Sequence, residues 1–215
     1  MNANGANHRL DIRILGIDPA AAGPTGYGVL ESDGRTHRVV KYGALRVPAA
    51  RQKESPGAVL QEIHELVCAL VKECSPTVIA VESVFTALNM RTALRLAEVR
   101  GVVLLAAAQH RLAVYSYSPR EVKACVAGYG HADKRQMQLM VREVLSMPET
   151  PEPADAADAL AVALCHLQAE QTRLRFGLPA KPDKKGIRST PASGLNAAGA
   201  HRTTALSGAR IEVLR

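Results

Sequence analysis

The sequence predicts an α/β fold in which helices flank a mixed sheet of five strands. Two apolar segments of strand length, 12–18 and 77–82, each end in a carboxylate, Asp18 and Glu82. Between and after them lie long segments whose apolar residues recur with helical spacing. With 215 residues, 47% of them hydrophobic, the chain is long enough for one domain with a substantial core.

The first half of the chain predicts four of the five strands. Segments 12–18 and 25–32 predict a hairpin-like pair, and 37–47 predicts a third strand. A polar stretch with two prolines, 48–56, predicts a loop. Apolar residues at i, i+3, i+4 and i+7 then predict a helix over 58–73, which Ser75-Pro76 ends before the fourth strand begins.

The second half is mainly helical, with the fifth strand at 113–117. A long helix is expected over 90–110, and its part 101–108 is apolar on all sides, which predicts burial or an oligomer interface. A helix opening at Pro119 and one over 133–146 follow, separated by Gly128-Tyr129-Gly130, and the last helix spans 154–171.

Composition divides the chain into a body that carries the predicted elements and two flanking segments. Residues 1–11 are polar and predict a flexible N-terminus without a signal segment, whereas 12–172 carries all the predicted elements. The longest apolar run, 102–108, is far short of the ~20 residues of a membrane span, so we expect a soluble, cytoplasmic protein.

The charge is concentrated at the C-terminal end. Nine of the basic residues and three of the acidic ones follow position 168, so this end contributes +6 of the formal charge of +7. Residues 173–215 therefore predict a basic, disordered tail. Within it, 211–214 is a short apolar segment that could dock on the domain.

The cysteine pattern favours free thiols. Cys68, Cys74, Cys125 and Cys165 all fall within apolar stretches, and none belongs to a CxxC pair. We expect buried thiols in a reducing compartment, and the spacing argues against a structural zinc site.

Four acids form the candidate site. Asp18 and Glu82 end apolar strands, and if these strands are parallel neighbours their carboxyl ends meet at the sheet edge where ligands gather. Asp155 and Asp158 are three residues apart and share one helix face.

A carboxylate near apolar neighbours needs either a Lys or Arg partner or a metal ion. Taken singly, Asp155 is an ordinary first-turn acid, Asp158 a solvated position and Glu82 a possible arginine partner. Together, they favour Mg²⁺ or Mn²⁺.

At these residues the sequence resembles RuvC, the Holliday-junction resolvases of the RNase H/integrase-like nuclease superfamily. The matching segments are in the family's order and span roughly 12–168: Leu15-Gly16-Ile17-Asp18-Pro19, Thr25-Gly26-Tyr27-Gly28, Ile79 to Phe85, Ala97 to Gly101, Val122-Lys123, Gly128 to Gly130, Lys134, and Ala154 to Ala161. Each segment alone is a weak signal, whereas the ordered set is highly specific.

The resemblance implies an RNase H-like nuclease that nicks two strands of a four-way DNA junction symmetrically, in recombination and repair. It implies Asp18, Glu82, Asp155 and Asp158 as the catalytic, metal-binding carboxylates, with two Mg²⁺ per subunit and Mn²⁺ as a substitute. It implies Phe85, Lys123 and Lys134 as DNA contacts. It also implies a homodimer, with the long helix after Glu82 at the interface, and a complex with a branch-migration helicase.

Some residues depart from the family or have ordinary roles of their own. The residue after Asp18-Pro19 is usually Gly and is Ala20 here, and the turn that follows is one residue longer. For His131 we favour a helix-cap role over a catalytic one. Arg91, Arg95 and Arg100 are most simply the polar side of their helix, although DNA contact is an alternative.

Three other functions remain open from the residues alone. A nuclease for RNA–DNA hybrids, or for another structured nucleic acid, shares the acidic design. A non-catalytic junction-binding protein would use Phe85, Lys123 and Lys134 without needing the carboxylates. An actin/Hsp70-like ATPase also opens on a Gly-Ile-Asp strand and turn, but that fold has two lobes and a longer chain.

Overall fold

The structure is a computed structural model that describes residues 11–21, 23–55, 57–83, 89–179 and 210–213. Within these residues six strands and six helices follow one another: β1 (Ile12–Asp18), β2 (Thr25–Ser32), β3 (His37–Arg46), α1 (Ala49–Glu54), α2 (Ala58–Cys74), β4 (Val78–Glu82), α3 (Met90–Gln109), β5 (Ala113–Tyr117), α4 (Pro119–Ala127), α5 (Lys134–Val144), α6 (Ala154–Arg175) and β6 (Arg210–Val213). In this part of the chain, no helix combines the length and the apolar character needed to cross a bilayer.

The strands form one mixed sheet in the order β5-β4-β1-β2-β3-β6. The first three strands are antiparallel neighbours, whereas β1, β4 and β5 run parallel. The five strands predicted from the sequence are all present, and the α/β class is confirmed. Because β1 and β4 are parallel neighbours, their carboxyl ends lie at the same edge of the sheet.

Two elements were not predicted. Helix α1 lies inside the expected loop 48–56, where Ala49, Ala50 and Gln52 are good helix formers and the Gln52 N–H donates to the Pro48 carbonyl at 3.1 Å. Strand β6 lies inside the stretch for which composition predicts a disordered tail, and it overlaps the short apolar segment 211–214. It pairs antiparallel with β3 and so covers an edge that would otherwise be open.

Alternate residues of the strands face two different helical layers. Ile14, Leu30, Val78 and Ala80 pack with α4, α5 and α6 on one side of the sheet. Their neighbours Leu15, Ile17, Val29, Ile79 and Val81 pack with α2 and α3 on the other side. The continuous apolar runs of β1 and β4 are therefore explained by burial on both faces, as is usual for parallel strands.

Glycines let α6 lie directly on the sheet. A Cβ added at Gly16 would lie 2.2 Å from the Ala159 carbonyl oxygen, and one at Gly26 would lie 1.9 Å from the Asp155 carbonyl oxygen. The alanines of α6 that lie over these glycines, Ala156, Ala159 and Ala163, are small and buried. The backbones of helix and strands thus approach more closely than larger residues would allow.

Candidate active site

The two strand-end acids meet as the parallel register requires. Ile17 of β1 pairs with Val81 of β4, so Asp18 and Glu82 end adjacent strands at the same level. Their side chains are close enough to share a hydrogen bond. Every second residue of these strands faces the layer that contains α6: Ile14 and Gly16 in β1, and Val78 and Ala80 in β4. Asp18 and Glu82 continue this alternation and therefore face the same side.

The N-terminal end of α6 adds the other two acids, Asp155 in its first turn and Asp158 just after it. A carboxylate oxygen from each of Asp18, Asp155 and Asp158 lies within 4.8 Å of the other two. The contact between Gly26 and the Asp155 backbone places the start of α6 over β2, and Gly26 pairs directly with Asp18 across the β1–β2 ladder. The sheet and the last helix therefore fix three carboxylates around one point.

Burial and mutual repulsion disfavour the charged forms of these acids. Burial raises the pKa of Asp18 well above its usual range, and the charges of Glu82, Asp158 and Asp155 raise it further. Burial, followed by the charge of Asp158, raises the pKa of Glu82. Burial also raises the pKa of Asp158, against the opposing effect of Lys134. Such a set of hard oxygen donors is suited to a divalent cation, which would relieve the repulsion.

Two lysines face the acids. Lys134 is the first residue of α5, and its Nζ lies 3.3 Å from Asp158 Oδ2 and 3.8 Å from Asp155 Oδ1. Burial alone would lower the pKa of Lys134, but the charges of Asp158, Asp155 and Asp18 raise it. Lys123 on α4 is half-buried, and its charge opposes the rise in the pKa of both Glu82 and Asp158. The alternatives of a cationic partner and a metal site are thus compatible here.

The remaining candidates are less closely tied to the cluster. Phe85 lies outside the described residues. His131 is exposed on the loop before α5. Arg91 and Arg95 are exposed on α3, whereas Arg100 is half-buried and donates to Ser116 Oγ at 2.7 Å. Asp18 lies in the carboxylate cluster although Ala20 stands where the family usually has a glycine.

The sequence reasoning did not assign a role to the glycines beneath α6. Gly26 and Gly28 alternate with apolar residues in β2, and Gly16 lies in β1, the strand that pairs with β2. A glycine inside a strand pattern indicates close approach of another backbone, and this signal was available before the structure. The partner helix could not be identified from the pattern.

Comparison with known proteins gives the family. The family profile described as "Crossover junction endodeoxyribonuclease RuvC" matches residues 14–166, which include all four acids. The chain belongs to the RuvC family. It is 47% identical over 167 residues to the RuvC of Chloroflexus aggregans, covering 78% of this chain and 99% of that relative. The chain is also 47% identical over 164 residues to the RuvC of Desulfitobacterium hafniense, covering 76% of this chain and 97% of that relative.

A solved RuvC structure confirms the RNase H-like fold expected from the resemblance. The RuvC of T. thermophilus in complex with a Holliday junction substrate superposes with a TM-score of 0.69 at 32% identity, over 75% of this chain and 96% of that one. This chain is accordingly a RuvC-type endodeoxyribonuclease, a hydrolase of DNA.

Proposed function

We propose that this RuvC-family chain resolves four-way DNA junctions by metal-assisted hydrolysis at Asp18, Glu82, Asp155 and Asp158. The convergence of carboxylate oxygens of Asp18, Asp155 and Asp158 within 4.8 Å, with Glu82 ending the adjacent strand, carries the proposal. The T. thermophilus relative solved with a Holliday junction substrate supports the choice of substrate. DNA as substrate also favours a cytoplasmic enzyme.

The donor set fits hard divalent cations. All four donors are carboxylates, and burial and mutual repulsion raise the pKa values of Asp18, Glu82 and Asp158, which nearby lysines offset only in part. We assign two Mg²⁺ ions per subunit, replaceable by Mn²⁺, with Asp18 as the central ligand. When bound, such ions supply an activated water and neutralise charge on the scissile phosphate and the leaving oxygen.

The protein's own residues orient the reaction. The rigid strand ends hold Asp18 and Glu82, and the glycine contact holds the Asp155/Asp158 turn against them. Lys134 and Lys123 present positive charge beside the acids and are the proposed phosphate contacts. The proposed contact of Phe85 with a base pair at the junction centre rests on the family resemblance.

A homodimer is supported by the surface of α3. Leu94, Ala97, Gly101, Leu105 and Ala108 are exposed although most are apolar, and their spacing of three and four residues places them along one face of the helix. Leu94 and Leu105 are 57% and 54% exposed. A continuous exposed stripe of apolar and small residues is typical of a helix-to-helix interface between subunits. Two subunits would supply the two cuts.

Two further assignments stay predictions. A branch-migration helicase partner rests on the family resemblance alone. Division of the chain at 172, with the basic segment after it attracting DNA, rests on the sequence composition.

The test is cleavage of a synthetic four-way junction by wild type and Asp18→Asn, with and without Mg²⁺. Asp11→Asn is a matched control, since Asp11 is an exposed acid just before β1, about 23 Å along the strand from Asp18. We expect paired nicks from wild type and Asp11→Asn in Mg²⁺ only, and none from Asp18→Asn. Equal cutting by Asp18→Asn would refute the site, and preference for RNA–DNA hybrids would refute the substrate.

A further inference from the structure

Tyr129 is an exposed aromatic side chain in a protein that has few. The chain contains five tyrosines, two phenylalanines and no tryptophan. All five tyrosines lie in the described residues, where Tyr27 and Tyr117 are buried, Tyr42 and Tyr115 are half-buried, and Tyr129 is 47% exposed. It is therefore the one tyrosine whose ring is largely open to solvent.

The ring is held in place rather than free to rotate. The Tyr129 hydroxyl donates to Gln136 Oε1 at 2.6 Å, and the same oxygen accepts the Asp133 N–H at 3.0 Å. Asp133 Oδ1 in turn accepts the Gln136 N–H at 2.8 Å, which completes the capping box of α5. Gly128 turns the chain at the end of α4 with φ of 81°. An anchored ring loses little conformational entropy when it binds.

The loop that carries Tyr129 lies between two basic residues, Arg120 of α4 and Lys134 of α5. The next residue, Gly130, lies under Arg120, because a Cβ there would be 2.7 Å from Arg120 Cγ. The capping box that anchors Tyr129 also begins the helix whose first residue is Lys134, and Lys134 Nζ lies 3.3 Å from Asp158. An exposed aromatic ring with basic residues on the neighbouring segments is the combination that proteins use to hold unpaired nucleotides.

We propose that Tyr129 is a DNA-binding residue that stacks on an unpaired base of the strand entering the active site. Lys134 and Arg120 contact the phosphates on either side, and the hydroxyl bond to Gln136 presets the ring. The inference rests on the proposed function, since it names a further contact of the same substrate. The contact of Tyr129 is additional to those assigned to Phe85, Lys123 and Lys134.

Affinity for a four-way junction, measured by fluorescence anisotropy in Ca²⁺ to prevent cutting, separates the ring from its hydroxyl. Tyr129→Phe keeps the ring and is expected to bind within about 3-fold of wild type. Tyr129→Ala is expected to bind about 5- to 150-fold more weakly, the range for one lost stacked base. Val144→Ala is the matched control, because Val144 is 36% exposed at the end of α5, about 15 Å along that helix from Lys134.

A tryptophan at position 129 reports stacking directly, because the natural chain has none. Its fluorescence should be quenched when junction is added to Tyr129→Trp and unchanged in Val144→Trp. Unaltered affinity of Tyr129→Ala, or emission of Tyr129→Trp that junction does not quench, would overturn the inference. If wild type neither binds nor cuts the junction, the proposed function fails instead, so the two failures are distinguishable. Equal melting temperatures of the variants show that the fold is retained.

Discussion

Replacing Gly26 with alanine tests whether the glycine contact sets the position of the active-site helix. Gly26 pairs with Asp18 across the β1–β2 ladder and lies beneath the first turn of α6. A Cβ built at this position would be 1.9 Å from the Asp155 carbonyl oxygen, which belongs to backbone and cannot rotate away. The start of α6 must therefore move.

The size of the effect follows from the overlap. Real Cβ contacts are essentially never below 3.0 Å, so the Asp155 backbone must retreat by at least about 1.1 Å. A displacement of about 1 Å in a catalytic group costs roughly 10²-fold in rate. Overpacking of this kind also costs about 1–3 kcal/mol of stability. We expect Gly26→Ala to cut a four-way junction about a hundredfold more slowly in Mg²⁺, with a lower melting temperature.

Gly57→Ala is the matched control, because Gly57 is exposed and a Cβ there meets nothing within 4 Å. It should cut at the wild-type rate. Junction affinity in Ca²⁺, measured for both variants, distinguishes a misplaced site from a lost DNA surface. If Gly26→Ala cuts as fast as wild type while remaining folded, α6 is not positioned by this contact.

Three further outcomes are expected. The pKa of Asp18 is raised in the folded protein, so the metal-free fold binds more protons than the unfolded chain between about pH 4 and the raised pKa. The free energy of unfolding should therefore decrease as the pH rises through this range. Urea unfolding should show this decrease in wild type and a smaller decrease in Asp18→Asn. A parallel pH dependence in the two proteins would contradict the electrostatic account. Lys134→Gln should lower junction affinity and destabilise the metal-free protein, measured by anisotropy and thermal melting, whereas Lys134→Arg should keep most of both. Leu105→Glu should shift the protein to monomers in analytical ultracentrifugation, whereas Leu139→Glu, at an exposed position on α5, should not. The same oligomeric state for both variants would argue against the α3 interface.

The arrangement of the candidate site was predictable from the sequence where it depends on strand ends. Asp18 and Glu82 each follow an apolar run, and the parallel pairing of β1 with β4 brings them together as expected. The position of α6 was not predictable, because periodicity gives the face of a helix but not the strand on which it packs. Helix α1 was missed since two prolines outweighed its helix-forming residues. Strand β6 was missed because its pairing with β3 depends on a distant segment.

Two locally unfavourable features of this chain explain each other. A lysine in the first turn of α5 opposes the helix dipole, and four clustered acids repel one another. With Lys134 Nζ 3.3 Å from Asp158, the lysine offsets part of the negative charge that burial and repulsion make costly. Metal binding would take over that compensation and leave Lys134, which is 56% exposed, able to face a phosphate. On the proposed function, the same lysine therefore stabilises the metal-free fold and contacts the substrate of the metal-loaded enzyme.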